Sequence, residues 1–270
     1  MADGAGALFY GAFNLPSERA ASLSAGTWLG GAQFATAAVS MPLGRGYLAG
    51  IGVQSLDYGS VDEIVPDPLT GGTRGTATGG QVGASELALT AGVAQRGRWL
   101  RMGISVATVH LQVADLSGST TAFGMGDGVS IGGWDVDFSL QNGGIRAVTL
   151  GASSSTLPLT QRLSARTPSV RLAGGTWVGV AEVRDVKGEG RTTLVGAEGD
   201  FVTAAGWRLA ARGAVASYSV ETARAPWSAG ASAGRGGWSL VYAYQGFGPL
   251  GAVHRMGVTW RSQGPRNPSR

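Results

Sequence analysis

The sequence predicts an all-β fold, a transmembrane antiparallel β-barrel of roughly 14 strands with short periplasmic turns and longer extracellular loops. Three observations predict it. Apolar and polar residues alternate with period two along many segments; glycine is abundant, at 47 residues, while charged residues make up only 14%; and short and long connections alternate along the chain.

Successive side chains of a strand point to opposite faces, so alternation means one oily and one polar face. Leu87, Leu89, Ala91 and Val93 alternate with Glu86 and Thr90. Leu100, Met102, Ile104 and Val106 alternate with Arg101, Gly103 and Ser105. Trp134, Val136, Phe138 and Leu140 stand opposite Asp135, Asp137 and Ser139. Farther on, Trp207, Leu209, Ala211 and Val215 oppose Arg208 and Arg212, and Trp238, Leu240, Tyr242 and Tyr244 oppose Ser239, Ala243 and Gln245. Met256, Val258 and Trp260 close the series against Arg255, Gly257, Thr259 and Arg261.

In chain order the strands are expected at 21–29, 32–41, 46–57, 81–94, 98–110, 129–141, 144–153, 159–166, 169–184, 190–199, 205–217, 227–234, 237–246 and 252–261. Residues 1–19 then form an N-terminal segment, 20–262 the barrel and 263–270 a polar tail. Connections after even strands are tight: Pro42–Arg45, Gln95–Gly97, Asn142-Gly143 and Arg235-Gly236. Those after odd strands, such as 58–80 and 111–128, are mostly longer and form external loops. An even count puts both ends on the periplasmic side.

A soluble β-sandwich would alternate as well. Its solvent faces, however, are usually rich in Lys, Glu and Thr, whereas here the polar face is mainly Gly, Ser, Ala and Thr with sparse charges, which suits an enclosed lumen. The expected lumen-facing charges are Glu86, Arg101, Asp135, Asp137, Glu182, Arg184, Arg208, Arg212 and Arg255. Trp28, Trp99, Trp134, Trp177, Trp207, Trp238 and Trp260 fall at strand ends, where lipid-facing interfacial girdles form.

No run of about 18 apolar residues is present, so no helix is expected to span a bilayer. The zero cysteines exclude disulfides and thiolate chemistry. Met1-Ala2-Asp3-Gly4 has neither a basic nor an apolar leader region; the outer-membrane reading therefore expects an export signal to have been removed or the gene start to be incomplete. The net charge of +4 comes from scattered arginines with Lys187 as the single lysine, unlike the clustered basic face of a nucleic-acid binder.

Several short segments carry a family resemblance: Ala7-Leu8-Phe9-Tyr10, Ser55-Leu56-Asp57-Tyr58-Gly59, Val195-Gly196-Ala197-Glu198 and His254-Arg255-Met256-Gly257-Val258-Thr259-Trp260-Arg261. In these the chain resembles the PorV/PorQ-like outer-membrane proteins of the FadL-like barrel superfamily. The resemblance implies either movement of small or hydrophobic solutes across the outer membrane or, as in type IX secretion, binding of secreted cargo. It departs from the family where Gly11-Ala12-Phe13-Asn14 replaces an Asn-Pro-Ala-Gly stretch, and a preceding Gly-rich segment is missing, which implies a lumen more open than in relatives.

Candidate chemistry is sparse, and no catalytic residue, metal site or cofactor is assigned. His254 beside a Ser or Asp could imitate an outer-membrane hydrolase, but an isolated rim histidine explains it more simply. Asp135 and Asp137 could form an acid/base pair; across a lumen, ion pairing to Arg101, Arg162 or Arg146 fits better. Gly124, Gly126 and Gly128 imitate a phosphate loop without the helix it needs and read as loop glycines. Asp57, Asp62, Glu63 and Asp67 match no defined calcium cage and read as a solvated loop stiffened by Pro66 and Pro68. The partners expected are a lipid bilayer and a small solute or secreted cargo; the alternatives are a soluble all-β module and an outer-membrane hydrolase.

Overall fold

A computed structural model describes residues 4–67, 69, 75–144, 147–151, 153–219, 226–247 and 251–262. After two 3-10 turns, Gly4–Phe9 and Ala12–Asn14, the strands are β1 Ala20–Thr27, β2 Gln33–Gly44, β3 Tyr47–Pro66, β4 Gly75–Arg96, β5 Leu100–Val113, β6 Leu116–Ile131, β7 Trp134–Gly144, β8 Val148–Leu150, β9 Ser153–Ser155, β10 Thr160–Arg166, β11 Val170–Leu172, β12 Gly175–Val186, β13 Gly190–Val202, β14 Arg208–Tyr218, β15 Trp227–Arg235, β16 Trp238–Gly246 and β17 Ala252–Arg261. Neighbours in sequence pair antiparallel. The sheet closes twice over, through β1 with β17 and through β10 with both β7 and β12, giving a barrel of 14 strands. Closure leaves no strand edge, which a bilayer would not tolerate.

The alternation sorts as its chemistry requires. Leu87, Leu89, Met102, Ile104, Val136, Phe138, Val195, Val215, Leu240 and Met256 are exposed on the outside, while their neighbours Ala88, Thr90, Asp137 and Ser139 are buried inside. From Trp207 to Val215 a strand advances roughly 27 Å, which at a tilt of about 40° crosses about 20 Å of membrane, close to the apolar band of outer-membrane barrels.

The strand count agrees with the sequence reading, but several of its elements differ. The segment expected as an external loop over 111–128 is the β5–β6 hairpin, turning at Ala114-Asp115. Gly124, Gly126 and Gly128 are therefore strand residues, not loop glycines. The strand expected over 144–153 is not in the wall: Val148–Leu150 and Ser153–Ser155 pair only with each other, in a small hairpin packed on β6. The tight turn placed at Asn142-Gly143 lies instead at Gly132-Gly133, whose φ values of 60° and 85° suit a two-residue hairpin turn. The strand expected over 169–184 is folded at Ala173-Gly174, so that β11 continues β10 beyond Thr167-Pro168-Ser169. Pro168 cannot donate to the ladder, and Thr167 bridges the gap by exchanging hydrogen bonds with Gly179.

With these corrections the alternation of connections is partial. Two-residue turns follow β2, β6, β11 and β15, and both ends of the barrel, Ala20 and Arg261, lie on their side; but β5–β6 also turns in two residues and β12–β13 in three at the opposite end, while β13–β14 takes five on the short-turn side. At the opposite end the segment expected as a loop over 58–80 is largely strand: β3 and β4 run past their neighbours as a two-stranded ribbon, paired through Ser60↔Gly83 to Pro66↔Gly75, so Asp57, Asp62 and Glu63 are strand residues. The tail at 263–270, Pro68 and Arg146 lie outside the described residues.

Candidate functional site

The N-terminal segment enters the barrel. Leu8, Ala12 and Leu15 are buried against Leu48 and Ala94, and Ala5 against Ala20 and Ala38 with Phe9 beside them. The wall makes room with glycine. A Cβ on Gly52 would meet the Phe9 ring at 2.6 Å, one on Gly92 would meet Leu8 at 2.8 Å, and one on Gly103 would meet Cα of Phe13 at 2.8 Å. Two side chains also hold the backbone: Arg96 donates to the carbonyl of Leu15 at 2.9 Å and Gln141 to that of Phe9 at 2.8 Å. Residues 4–15 thus plug the half of the lumen lined by β1–β6.

The other half stays hollow. Toward the long-loop end lies a cavity of about 620 Å³ with Trp28, Phe34, Leu56, Tyr244 and Val253 in its lining. Below it a second cavity of about 540 Å³ runs toward the short turns past Asn14, Asp137, Arg162, Arg166 and Glu182. Tyr10, Arg184, Glu198, Arg212 and Arg255 line both and form the belt between them. Tyr10 is the tip of the plug here: its hydroxyl accepts a hydrogen bond from Arg255 at 3.1 Å, and the Arg162 guanidinium lies 5.4 Å from its ring centre. Arg255 also donates to Ser24 and stands 5.5 Å from the Phe34 ring centre.

Charges in the lumen are largely matched. Arg162 pairs with Glu182 at 3.1 Å and Arg212 with Glu198 at 3.7 Å. Arg101 reaches Asp135 at 3.1 Å and Asp137 at 2.6 Å, and Ser130 donates to Asp135. Asp135 and Asp137 are therefore clamped by one guanidinium rather than poised as an acid/base pair. Arg184 differs: its Nε is buried with no hydrogen-bond partner, and it forms no ion pair among the described residues.

Of the charges expected in the lumen, Arg101, Asp135 and Asp137 come together, Glu182, Arg184, Arg212 and Arg255 surround the cavities, and Glu86 lines the upper one. Arg208 is exposed at the start of β14, near the short turns. Among the tryptophans, Trp99, Trp134, Trp207, Trp238 and Trp260 mark the short-turn ends of their strands. Trp177 lies over Gly199 and edge-on to Phe201, its indole N–H donating to Leu172. Trp28 departs from the lipid-facing expectation, since it lines the upper cavity 6.2 Å from Phe34. Tyr10, Phe34 and Glu198 were not singled out as site residues; only the inward parity of Phe34 and Glu198 signalled them. His254 bonds the Tyr242 hydroxyl at 2.9 Å. Asp57 and Asp67 accept backbone N–H bonds, and Glu63 accepts from Thr78.

No family model matches the sequence, and no curated protein is recognisably similar to it. Solved structures are similar in fold. A Pseudomonas aeruginosa FadL homologue superposes with a TM-score of 0.62 at 10% identity, covering 95% of this chain and 94% of that one. The Ralstonia pickettii toluene transporter TbuX gives 0.61 at 10% identity over 96% and 94%, and the Pseudomonas putida toluene transporter TodX gives 0.60 at 8% over 94% and 91%. What these likenesses share with the chain is the fold, a closed antiparallel β-barrel, here of 14 strands.

Proposed function

We propose that this chain is an outer-membrane channel for small hydrophobic solutes, which enter the aromatic-lined cavity from outside and pass the charged belt at Tyr10 on their way to the periplasm. The observation that carries this reading is the pair of joined cavities beside an incomplete plug. An apolar pocket of several hundred cubic ångströms suits a small solute, with a few placed polar groups to orient it. Here Trp28, Phe34 and Leu56 supply the apolar wall, and Arg184 and Arg255 the polar floor. The fold shared with proteins described as toluene transporters supports it. The test is uptake of toluene into vesicles containing the refolded chain: Phe34→Ala together with Trp28→Ala slows uptake several-fold under this reading, and unchanged uptake refutes it.

A second reading, partner binding of the PorV/PorQ-like kind, draws on the β3–β4 ribbon. Two-stranded ribbons are marginal in water, and this one exposes Val61, Ile64 and Leu69. A barrel impermeable to every solute, together with capture of a secreted protein that is lost when the ribbon is shortened, would favour it.

A further inference from the structure

The two ends of the barrel differ in charge. At the short-turn end, Arg45 sits in the β2–β3 turn, Arg98 in the β4–β5 turn, Arg171 just before the β11–β12 turn, Arg208 just after the β13–β14 connection and Arg235 at the end of β15. All five are exposed, and none has an ion-pair partner among the described residues. The Gly132-Gly133 turn carries no arginine of its own, but Arg101 reaches Ser130 and Asp135 beside it; the exposed acids toward this end are Asp127 and Asp200. At the opposite end the exposed charges among the described residues are mainly acidic, Asp57, Asp62, Glu63, Asp115 and Glu189 beside Lys187, and Arg191 there is paired to Asp185 at 3.4 Å.

The arginines are interleaved with the tryptophan girdle. Trp99 follows Arg98, Arg208 follows Trp207, and Arg235 pairs in register with Trp238. Tryptophan settles at headgroup depth, so these guanidiniums stand at the level of lipid phosphates. Guanidinium is also the side chain best shaped for two-point hydrogen bonding to phosphate. A soluble acidic partner would need only the charge and would find no use for the tryptophans beside Arg98, Arg208 and Arg235.

We propose that this rim binds the headgroups of anionic phospholipids in the leaflet facing the short turns. Each arginine near such a surface contributes about 1 kcal/mol of attraction, or roughly fivefold in lipid preference, and salt weakens it. The inference rests on the barrel spanning a bilayer, as in the proposed function. The full chain, with Trp28→Phe and Trp227→Phe to silence the far end, is refolded into vesicles, and tryptophan quenching by brominated phosphatidylglycerol is compared with quenching by brominated phosphatidylcholine. Preference for phosphatidylglycerol is expected to be several-fold. It should fall toward equality in the combined variant Arg45→Gln, Arg98→Gln, Arg171→Gln, Arg208→Gln and Arg235→Gln, and persist in Arg191→Gln. No preference in an inserted, heat-modifiable barrel overturns the proposal and leaves the rim to a soluble acidic partner. A preference that survives the combined variant overturns it too. Failure of the chain to insert at all would instead strike the membrane reading beneath it.

Discussion

The plug is held against the wall by fit, so one methyl group on the wall should loosen it. Gly103 faces the lumen from β5, and a Cβ there would stand 2.8 Å from Cα of Phe13 and 2.9 Å from the carbonyl carbon of Ala12. Both are backbone atoms, so neither can swing aside as the tip of a side chain would. β5 is fixed by ladders to β4 and β6; the plug, fixed by Leu8, Phe13 and Leu15, three buried alanines and a few hydrogen bonds, is the part that yields. Unseating Phe13, 3% exposed, forfeits about 1.5–3 kcal/mol of burial. That raises the unseated population roughly ten- to a hundredfold. Gly103→Ala should therefore increase the frequency of high-conductance openings in planar bilayers by that order, and Gly103→Val by more. Gly213→Ala is the control, because a Cβ there meets only Ser228 O at 4.0 Å. An unchanged opening frequency in both Gly103 variants, with the barrel still heat-modifiable, would refute the placement of the plug.

Other substitutions probe the wall and the belt. Ile104→Arg puts a charge on the lipid-facing band and should lower stability in vesicles by about 2–4 kcal/mol, measured by urea unfolding; a loss near zero would deny that this face meets lipid. Arg101→Met leaves Asp135 and Asp137 without their cation inside the wall and should cost roughly 3 kcal/mol, with Asp135→Asn plus Asp137→Asn recovering part of it in the same assay. Arg184→Glu with Arg255→Gln makes the belt more negative, so the reversal potential under a salt gradient should shift toward cation selectivity; no shift would remove these residues from the conducting path.

The barrel was legible because its outer face is monotonous. In Leu100–Val106 and Trp134–Leu140 the lipid-facing positions carry large apolar residues without exception, and period two is visible from either face. β6 was not legible, for a reason that lies elsewhere in the chain. Its inward positions include Gly124, Gly126 and Gly128, which locally read as a loop. Gly126 must be small because a Cβ would meet the Phe13 ring at 2.6 Å, and Gly128 because it would meet Arg101 at 2.8 Å. These demands come from a plug more than a hundred residues upstream and from a neighbouring strand, and no local pattern reports them. The plug was missed on the same grounds, since Leu8, Phe13 and Leu15 have no periodicity of their own and are buried only because the wall across from them is hollowed by glycine. The lumen charges were legible as parity, but their pairing, Arg162 to Glu182 and Arg212 to Glu198, depends on strand register. At Trp28 the girdle reading failed because the chain leaves β1 there and turns the ring over the mouth of the cavity.

The central claim is that apolar residues face lipid outside and polar residues line an enclosed interior. Because the chain has no cysteine of its own, single cysteines at Met102, Ile104, Val136 and Phe138, and at Ser105 and Ser139, can be compared directly in vesicles. Bimane attached at the first four should be quenched by lipids brominated on their acyl chains and not by iodide, and bimane at the two serines should not be quenched by the brominated lipids. Iodide quenching at Ile104 and Phe138 with lipid quenching at Ser105 and Ser139 would turn the barrel inside out and contradict the account.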